Sequence, residues 1–155
     1  MILSERFIQL VSDPSAAIWI SNCNNKLEPD LVRLLGAKVE ADNEHLLLFV
    51  PVKYGKHVIE NFSVTNKLTF LLAIILTNES YQLKGEYLSH RPCTEEEVTY
   101  QEAYFAGLCD ALDNQALSGD KAFDAYYSQP SIAVRMVVRV VYEQTPKVGT
   151  GEKVL

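Results

Sequence analysis

The chain has 155 residues, 48% of them apolar and 22% charged, which are ordinary values for a globular protein and suit one domain with its own core. Net charge is −6, and between Glu86 and Asp120 eight acids meet one base, Arg91, so no basic footprint for nucleic acid is present. The longest apolar run, Leu68 to Leu76, is much shorter than the roughly 18 to 20 residues of a membrane span.

In chain order, Leu3 to Val11 places Phe7, Ile8 and Val11 at helical spacing after Ser4, with Pro14 just beyond, and predicts a short helix. Ala16 to Asn22 alternates Ile18 and Ile20 against Trp19 and Ser21, the pattern of a first strand. Asp30 to Glu40 has the apolar content of a helix, but Gly36 interrupts it and the alternation near its end favours a strand. His45 to Val52 reads as a strand, and Val58, Ile59 and Phe62 share one face of a helix from Gly55 to Phe62.

Lys67 to Leu76 and Tyr81 to His90 read as two adjacent buried strands joined by a tight turn. Thr94 followed by Glu97 is a capping box and starts a helix, with Val98, Phe105, Leu108 and Leu112 as its apolar stripe. Gly119 is expected to separate off a shorter helical piece carrying Phe123, Tyr126 and Tyr127. Ile132 to Tyr142 is the last long strand, with Val134, Met136, Val138 and Val140 on one face and Arg135, Val137, Arg139 and Val141 on the other. An irregular tail with Pro146, Gly149 and Gly151 follows. Six strands with few helices point to a closed or partly closed antiparallel barrel.

The segments KLTFLLAIILTNESYQLKGEYLSHRP and RMVVRVVYEQTPKVGTGEKVL, in that order and ending in QTP-x-x-G-x-G-E, resemble small split-barrel proteins of the pyridoxamine 5'-phosphate oxidase superfamily. The resemblance runs from Ala16 to Leu155. It implies a mainly β, six-stranded antiparallel split barrel spanning residues 1–155, with a helical insert at about 94–128, assembled as a homodimer that binds FMN at its interface. The tail QTPKVGTGEKVL would form a second wall there. By the same resemblance, the FMN phosphate falls to Arg33, to Lys53 and Lys56, and to Gln82 and Lys84, while the flavin ring would be buried against the backbone and apolar side chains of Phe49, Val50, Pro51 and Val52.

Physical chemistry is consistent with these residue types. A phosphate monoester needs several convergent donors. Hydrogen bonds to charged groups contribute about 1.5 to 3 kcal/mol each, whereas micromolar affinity needs about 8 kcal/mol, so ring burial must supply the remainder. Arg33 alternates with Leu31 and Leu35, a cation on an apolar face, which suits a phosphate ligand or an ion pair with a neighbouring strand. Lys53 and Lys56 equally suit solvated loop positions, and Gln82 and Lys84, sharing a face by period two, equally suit a solvent-facing stripe.

The turn has Tyr54-Gly55 where the family commonly places a small hydroxyl residue and a second base. The enzyme that names the superfamily carries an Arg- and His-containing substrate segment near its C-terminus. The final residues here, YEQTPKVGTGEKVL, contain no Arg, His or Trp, so that activity is not expected.

Other chemistry is weakly signalled. His90 and Cys93 make one H-x-x-C pair, too few ligands for zinc. Tyr100, Tyr104, Tyr126 and Tyr127 suit either stacking on a planar ring or capping the barrel. Three separated cysteines and an N-terminus without a basic region or continuous apolar stretch give a cytoplasmic expectation. The resulting expectation is an FMN-dependent oxidoreductase with a small-molecule substrate and no assignable catalytic residue. The alternative is a non-enzymatic binding or stress-response module lacking FMN or holding another planar ligand such as haem.

Overall fold

The computed structural model describes residues 1–148 and 150–155; Gly149, one of the expected tail glycines, lies outside the described residues. Its elements are α1 (Glu5–Val11), β1 (Ala16–Cys23), β2 (Pro29–Arg33), β3 (Gly36–Val39), β4 (His45–Pro51), α2 (Lys56–Asn61), β5 (Lys67–Ile74), β6 (Ser80–Pro92), α3 (Glu95–Asn114), α4 (Gly119–Tyr126) and β7 (Ser131–Glu143). All seven strands form one antiparallel sheet in the order β2-β1-β5-β6-β7-β4-β3.

The two ends of that order are consecutive in the chain, and the link between them closes the sheet. Leu34 N–H donates to the Ile18 carbonyl of β1 at 3.0 Å, and Leu35 N–H donates to the Phe49 carbonyl of β4 at 2.8 Å. The single strand expected over Asp30 to Glu40 is therefore two, β2 and β3, which raises the count from six to seven. Its break has a steric cause at Gly36, where φ is +150°, a backbone conformation that L side chains rarely adopt. A Cβ there would also stand 3.1 Å from Tyr100 Cε1 and 3.2 Å from Phe49 Cδ2.

Inside the curled sheet lie Ile18, Ile20, Leu48, Phe70, Leu83, Met136 and Val138, all with no exposed surface. Alternation on β1, β5 and the first half of β6 puts these residues inward and leaves Trp19, Ser21, Thr69, Leu71 and Gln82 half-buried on the outer face. Phe7, Leu10 and Val11 of α1 complete the core, and Phe7 meets Tyr81 edge-on at 4.9 Å.

The expected faces of β7 hold only as far as Val138. Pairing with β6 passes from Lys84↔Val140 to Gly85↔Val138, so Arg139 is an extra residue and the pattern inverts. Val141 is then fully buried and Val140 only partly, the reverse of simple alternation. A Cβ on Gly85 would lie 1.9 Å from the Val137 carbonyl oxygen, an approach that only glycine permits.

Thr94 forms the expected capping box. Its hydroxyl accepts from Glu97 N–H, and the Glu97 carboxylate accepts from Thr94 N–H. Gly119 does not lie between the helices but opens α4; the separation falls over 115–118. Gly119 is buried there, its N–H donating to Asp113 Oδ1 at 2.8 Å.

The tail is paired rather than free. Gly151 N–H donates to Glu143 O, Glu143 N–H to Glu152 O and Val154 N–H to Val141 O, so it lies along the stretch of β7 that β4 leaves uncovered. The tail expected to wall a partner's cofactor is thus itself anchored along β7.

Candidate functional site

Cross-strand register places Arg33 of β2 opposite Trp19 of β1, Trp19 opposite Leu71 of β5, and Leu71 opposite Gln82 of β6. These residues form one row on the outer face. At its Arg33 end, a cavity of about 350 Å³ opens, lined by Trp19, Leu31, Val32, Arg33, Tyr54, Ala125 and Tyr126. The Arg33 guanidinium carbon is 5.2 Å from the Trp19 ring centre and 4.8 Å from that of Tyr126. Cations over aromatic faces at such distances gain about 0.5 to 1 kcal/mol at exposed sites and more when desolvated.

Arg33 Nε is buried and has no hydrogen-bond partner among the described residues. The expected alternative for Arg33, an ion pair with a neighbouring strand, is not formed among the described residues: none of the salt bridges includes it. Its charge reaches inward, opposing the burial that pushes the Tyr104 phenol well above its ordinary range.

The turn that contributes Tyr54 is held by α2. Asn61 Nδ2 donates to Asn22 Oδ1 and Asp30 Oδ2 at 3.0 and 2.8 Å, and Asn22 Nδ2 donates to the Val58 carbonyl at 2.9 Å. This buried amide pair ties the helix to β1 and β2, so the 52–55 turn lies beside Arg33. Tyr126 lines the same cavity. It sits at the end of α4, which packs on α3 through Phe105–Phe123 and Phe105–Tyr127 edge contacts at 5.9 and 5.5 Å.

The remaining expected site residues divide between core and surface. Of the four residues expected beside a flavin ring, Phe49 and Val50 have no exposed surface, Pro51 is buried and Val52 is 37% exposed. Phe49 is covered by Tyr100 of α3, edge-on at 5.8 Å. Lys53 is exposed with its ammonium 5.2 Å from the Tyr54 ring centre, and Lys56 is exposed beside Glu60 at 4.0 Å. Gln82 and Lys84 share the outer face, Gln82 half-buried and Lys84 exposed 5.3 Å from the Tyr142 ring centre. The three strand steps separating Gln82 from Arg33 amount to about 14 Å at the usual spacing.

Trp19 was missed as a site residue. Its signal was an aromatic ring on the strand face opposite Ile18 and Ile20, which becomes a site only once β2 is known to pair there. Tyr126 belongs to the aromatic set that suited either ring stacking or barrel capping, and it stacks on Arg33.

Other candidate groups are already engaged. His90 Nδ1 contacts Tyr87 OH at 2.8 Å, while Cys93 Sγ accepts from Gln101 Nε2 at 3.4 Å. Glu40, Asp42 and His45 converge, but Arg135 supplies their cation, 2.8 Å from Glu40 and 3.8 Å from Asp42. Asp42 is held down at about 2, mainly by the Glu44 backbone N–H and by His45.

No family profile matches the chain, and no curated protein matches it in sequence. Solved structures do match it. HupZ of Group A Streptococcus superposes with a TM-score of 0.57 at 8% identity over 97% of this chain and 99% of that one. A structure described as a putative pyridoxamine 5'-phosphate oxidase from Lactobacillus delbrueckii gives 0.56 at 11% identity, over 91% and 93%. A pyridoxamine 5'-phosphate oxidase-related, FMN-binding protein from Nostoc punctiforme gives 0.50 at 10% identity, over 92% and 86%. Identities this low speak to architecture alone, and in architecture the chain shares the curled, split-barrel fold of these structures.

Proposed function

We propose that this protein is an FMN-binding homodimeric flavoprotein, an oxidoreductase acting on a small organic molecule, with the Trp19–Arg33–Tyr54–Tyr126 cavity at the flavin's seat. The observation that carries the reading is the buried Nε–H of Arg33, unpartnered among the described residues, beside the Trp19 and Tyr126 rings. An unmet buried donor costs about 1 to 3 kcal/mol, more when charged, and an anionic planar ligand would relieve that cost.

The donor set fits FMN in kind. Arg33 offers a fixed guanidinium, and Lys53 and Lys56, on the turn after β4 and the first turn of α2, are exposed and long enough to reorient toward a phosphate. Leu31, Trp19, Tyr54 and Val52 offer apolar and aromatic area for the ring, replacing the core residues Phe49, Val50 and Pro51 in that role. Gln82 and Lys84 lie farther along the same face, where they would meet the far end of an extended ligand or its substrate.

Bound flavin supplies the electron or hydride transfer. The chain's residues bind its anionic end, orient its ring and exclude water from it. Dimerisation would cover the outer face, where Leu31 is 59% exposed and Trp19, Leu71 and Tyr142 are only half-buried. Three free cysteines agree with a reducing, cytoplasmic setting.

The test is a fluorescence titration with FMN and with riboflavin. Arg33→Ala is expected to weaken FMN by about 1.5 to 3 kcal/mol and riboflavin much less. Equal losses for the two ligands would show that Arg33 does not read phosphate. Colourless protein that takes up no added FMN would remove the flavin assignment.

A further inference from the structure

Two of the residues that line the cavity, Tyr54 and Tyr126, lie outside the sheet, one on the 52–55 turn and the other at the last position of α4. Both are tied to the same short segment, 127–131. Val52 N–H, at the head of the turn, donates to the Pro130 carbonyl at 3.1 Å. Tyr127, next to Tyr126, accepts at its phenol oxygen from Gln129 Nε2 at 3.2 Å.

One side chain of α3 grips that segment. Gln101 Oε1 accepts from Gln129 Nε2 and from Ser131 Oγ, both at 2.9 Å, so it holds the two chain neighbours of Pro130. Its amide nitrogen donates to Cys93 Sγ at 3.4 Å. Gln101 has no exposed surface and shares the buried stripe of α3 with Tyr104, Phe105 and Leu108. An apolar residue would pack in such a stripe without needing partners, whereas a buried amide is costly unless bonded. What the amide adds at this position is its hold on residues 129 and 131.

We propose that Gln101 is a positioning residue for this cavity: it lies outside the lining, and through residues 129–131 it sets where the Tyr54 turn and Tyr126 stand. Its consequence for binding rests on the flavin reading above. A misplaced aromatic wall forfeits contact with the ring, not with the phosphate. Gln101→Met is therefore expected to weaken FMN and riboflavin alike, by roughly 2- to 10-fold, the worth of one well-placed aromatic contact. Arg33→Ala, in contrast, discriminates between the two.

Amide hydrogen exchange, read residue by residue by NMR without ligand, compares the wild type with Gln101→Met and with Ser131→Ala, a milder change that deletes one of the two bonds. Val52 N–H is expected to exchange roughly 5- to 100-fold faster in Gln101→Met, for the loss of two ordinary hydrogen bonds, and by a smaller factor in Ser131→Ala. Leu35 N–H, bonded to the Phe49 carbonyl of β4, is expected to match the wild type and controls for loss of fold. FMN and riboflavin are then titrated into the same proteins by flavin fluorescence. Unchanged Val52 exchange in both variants, or Val52 and Leu35 accelerating by one common factor, overturns the positioning role whether or not flavin binds. An FMN affinity that Gln101→Met leaves at the wild-type value, or a loss confined to FMN, overturns it while the flavin reading stands. FMN binding to none of the proteins overturns the flavin reading, and the exchange of Val52 alone then decides the role of Gln101.

Discussion

Glu97→Gln tests how the helical layer is held on the barrel. The Glu97 carboxylate receives Arg91 Nη1 at 2.9 Å, Arg91 Nη2 at 2.7 Å and Thr94 N–H at 2.9 Å, with 11% of its side chain exposed. Glutamine keeps one acceptor oxygen and loses the charge, so it can satisfy the cap or one guanidinium N–H but not the paired arrangement. One lost charge-assisted bond corresponds to about 1.5 to 3 kcal/mol. Arg91 is half-exposed and rehydrates, which puts the expectation near the lower end, about 1.5 to 2 kcal/mol. For a chain of this size, that lowers Tm by roughly 3 to 8 °C.

The effect has a defined pH dependence. The Arg91 hydrogen bonds, ahead of the Thr94 N–H, hold Glu97 below its ordinary value of 4.5. A carboxyl with a depressed folded-state pKa stabilises fully above its unfolded value and loses that contribution as pH falls through the folded one. Thermal melts followed by circular dichroism should therefore show a constant gap between wild type and Glu97→Gln from pH 6 to 8, narrowing below about 4.5. In an Arg91→Ala background most of the gap should vanish. A gap that does not narrow as pH falls below about 4.5, or one that survives removal of Arg91, would refute the pairing as its source.

Gly85→Ala is expected to abolish folding or cost more than about 4 kcal/mol, because the new Cβ would stand 1.9 Å from the Val137 carbonyl oxygen; a thermal melt within a few degrees of wild type would contradict this. Deleting the chain after Gln144 removes the backbone pairs to Val141 and Glu143 and is expected to cost about 1 to 3 kcal/mol, read as a lower Tm. An unchanged Tm would mean the tail contributes no net pairing. Light scattering should give a dimer for both lengths, and a monomeric full-length protein would remove the dimer.

Much of the architecture is legible in the residues, because local pattern and tertiary role coincide. Ile18 and Ile20 mark the inner face of β1, and Thr94 with Glu97 marks the start of α3, each through an interaction within a few residues. The failures share a cause. The break at Gly36 and the inversion at Arg139 depend on which strand lies alongside, and a period-two count over Ile132 to Tyr142 has no means of registering an extra residue opposite Lys84 and Gly85. Likewise, the alternation of β4 does not show that Tyr100 of α3 packs against the Phe49 side chain. Arg33 was legible as a cation on an apolar face. Trp19 and Tyr126 were not assignable as its neighbours, since one joins through β-pairing and the other from a helix more than ninety residues away.

The closing link at Leu34 and Leu35 gives the barrel a covalent seam. In a sheet with two independent edges, an outermost strand can slide by a residue and turn its side chains over at the expense of one ladder. Here β2 and β3 are the outermost strands, and consecutive N–H groups between them are spoken for by β1 and β4. A slip of β2 along β1 would drag β3 along β4 and send Leu34 and Leu35 out of the core together. The register that sets Arg33 opposite Trp19 is therefore held by β4 as well as by β1.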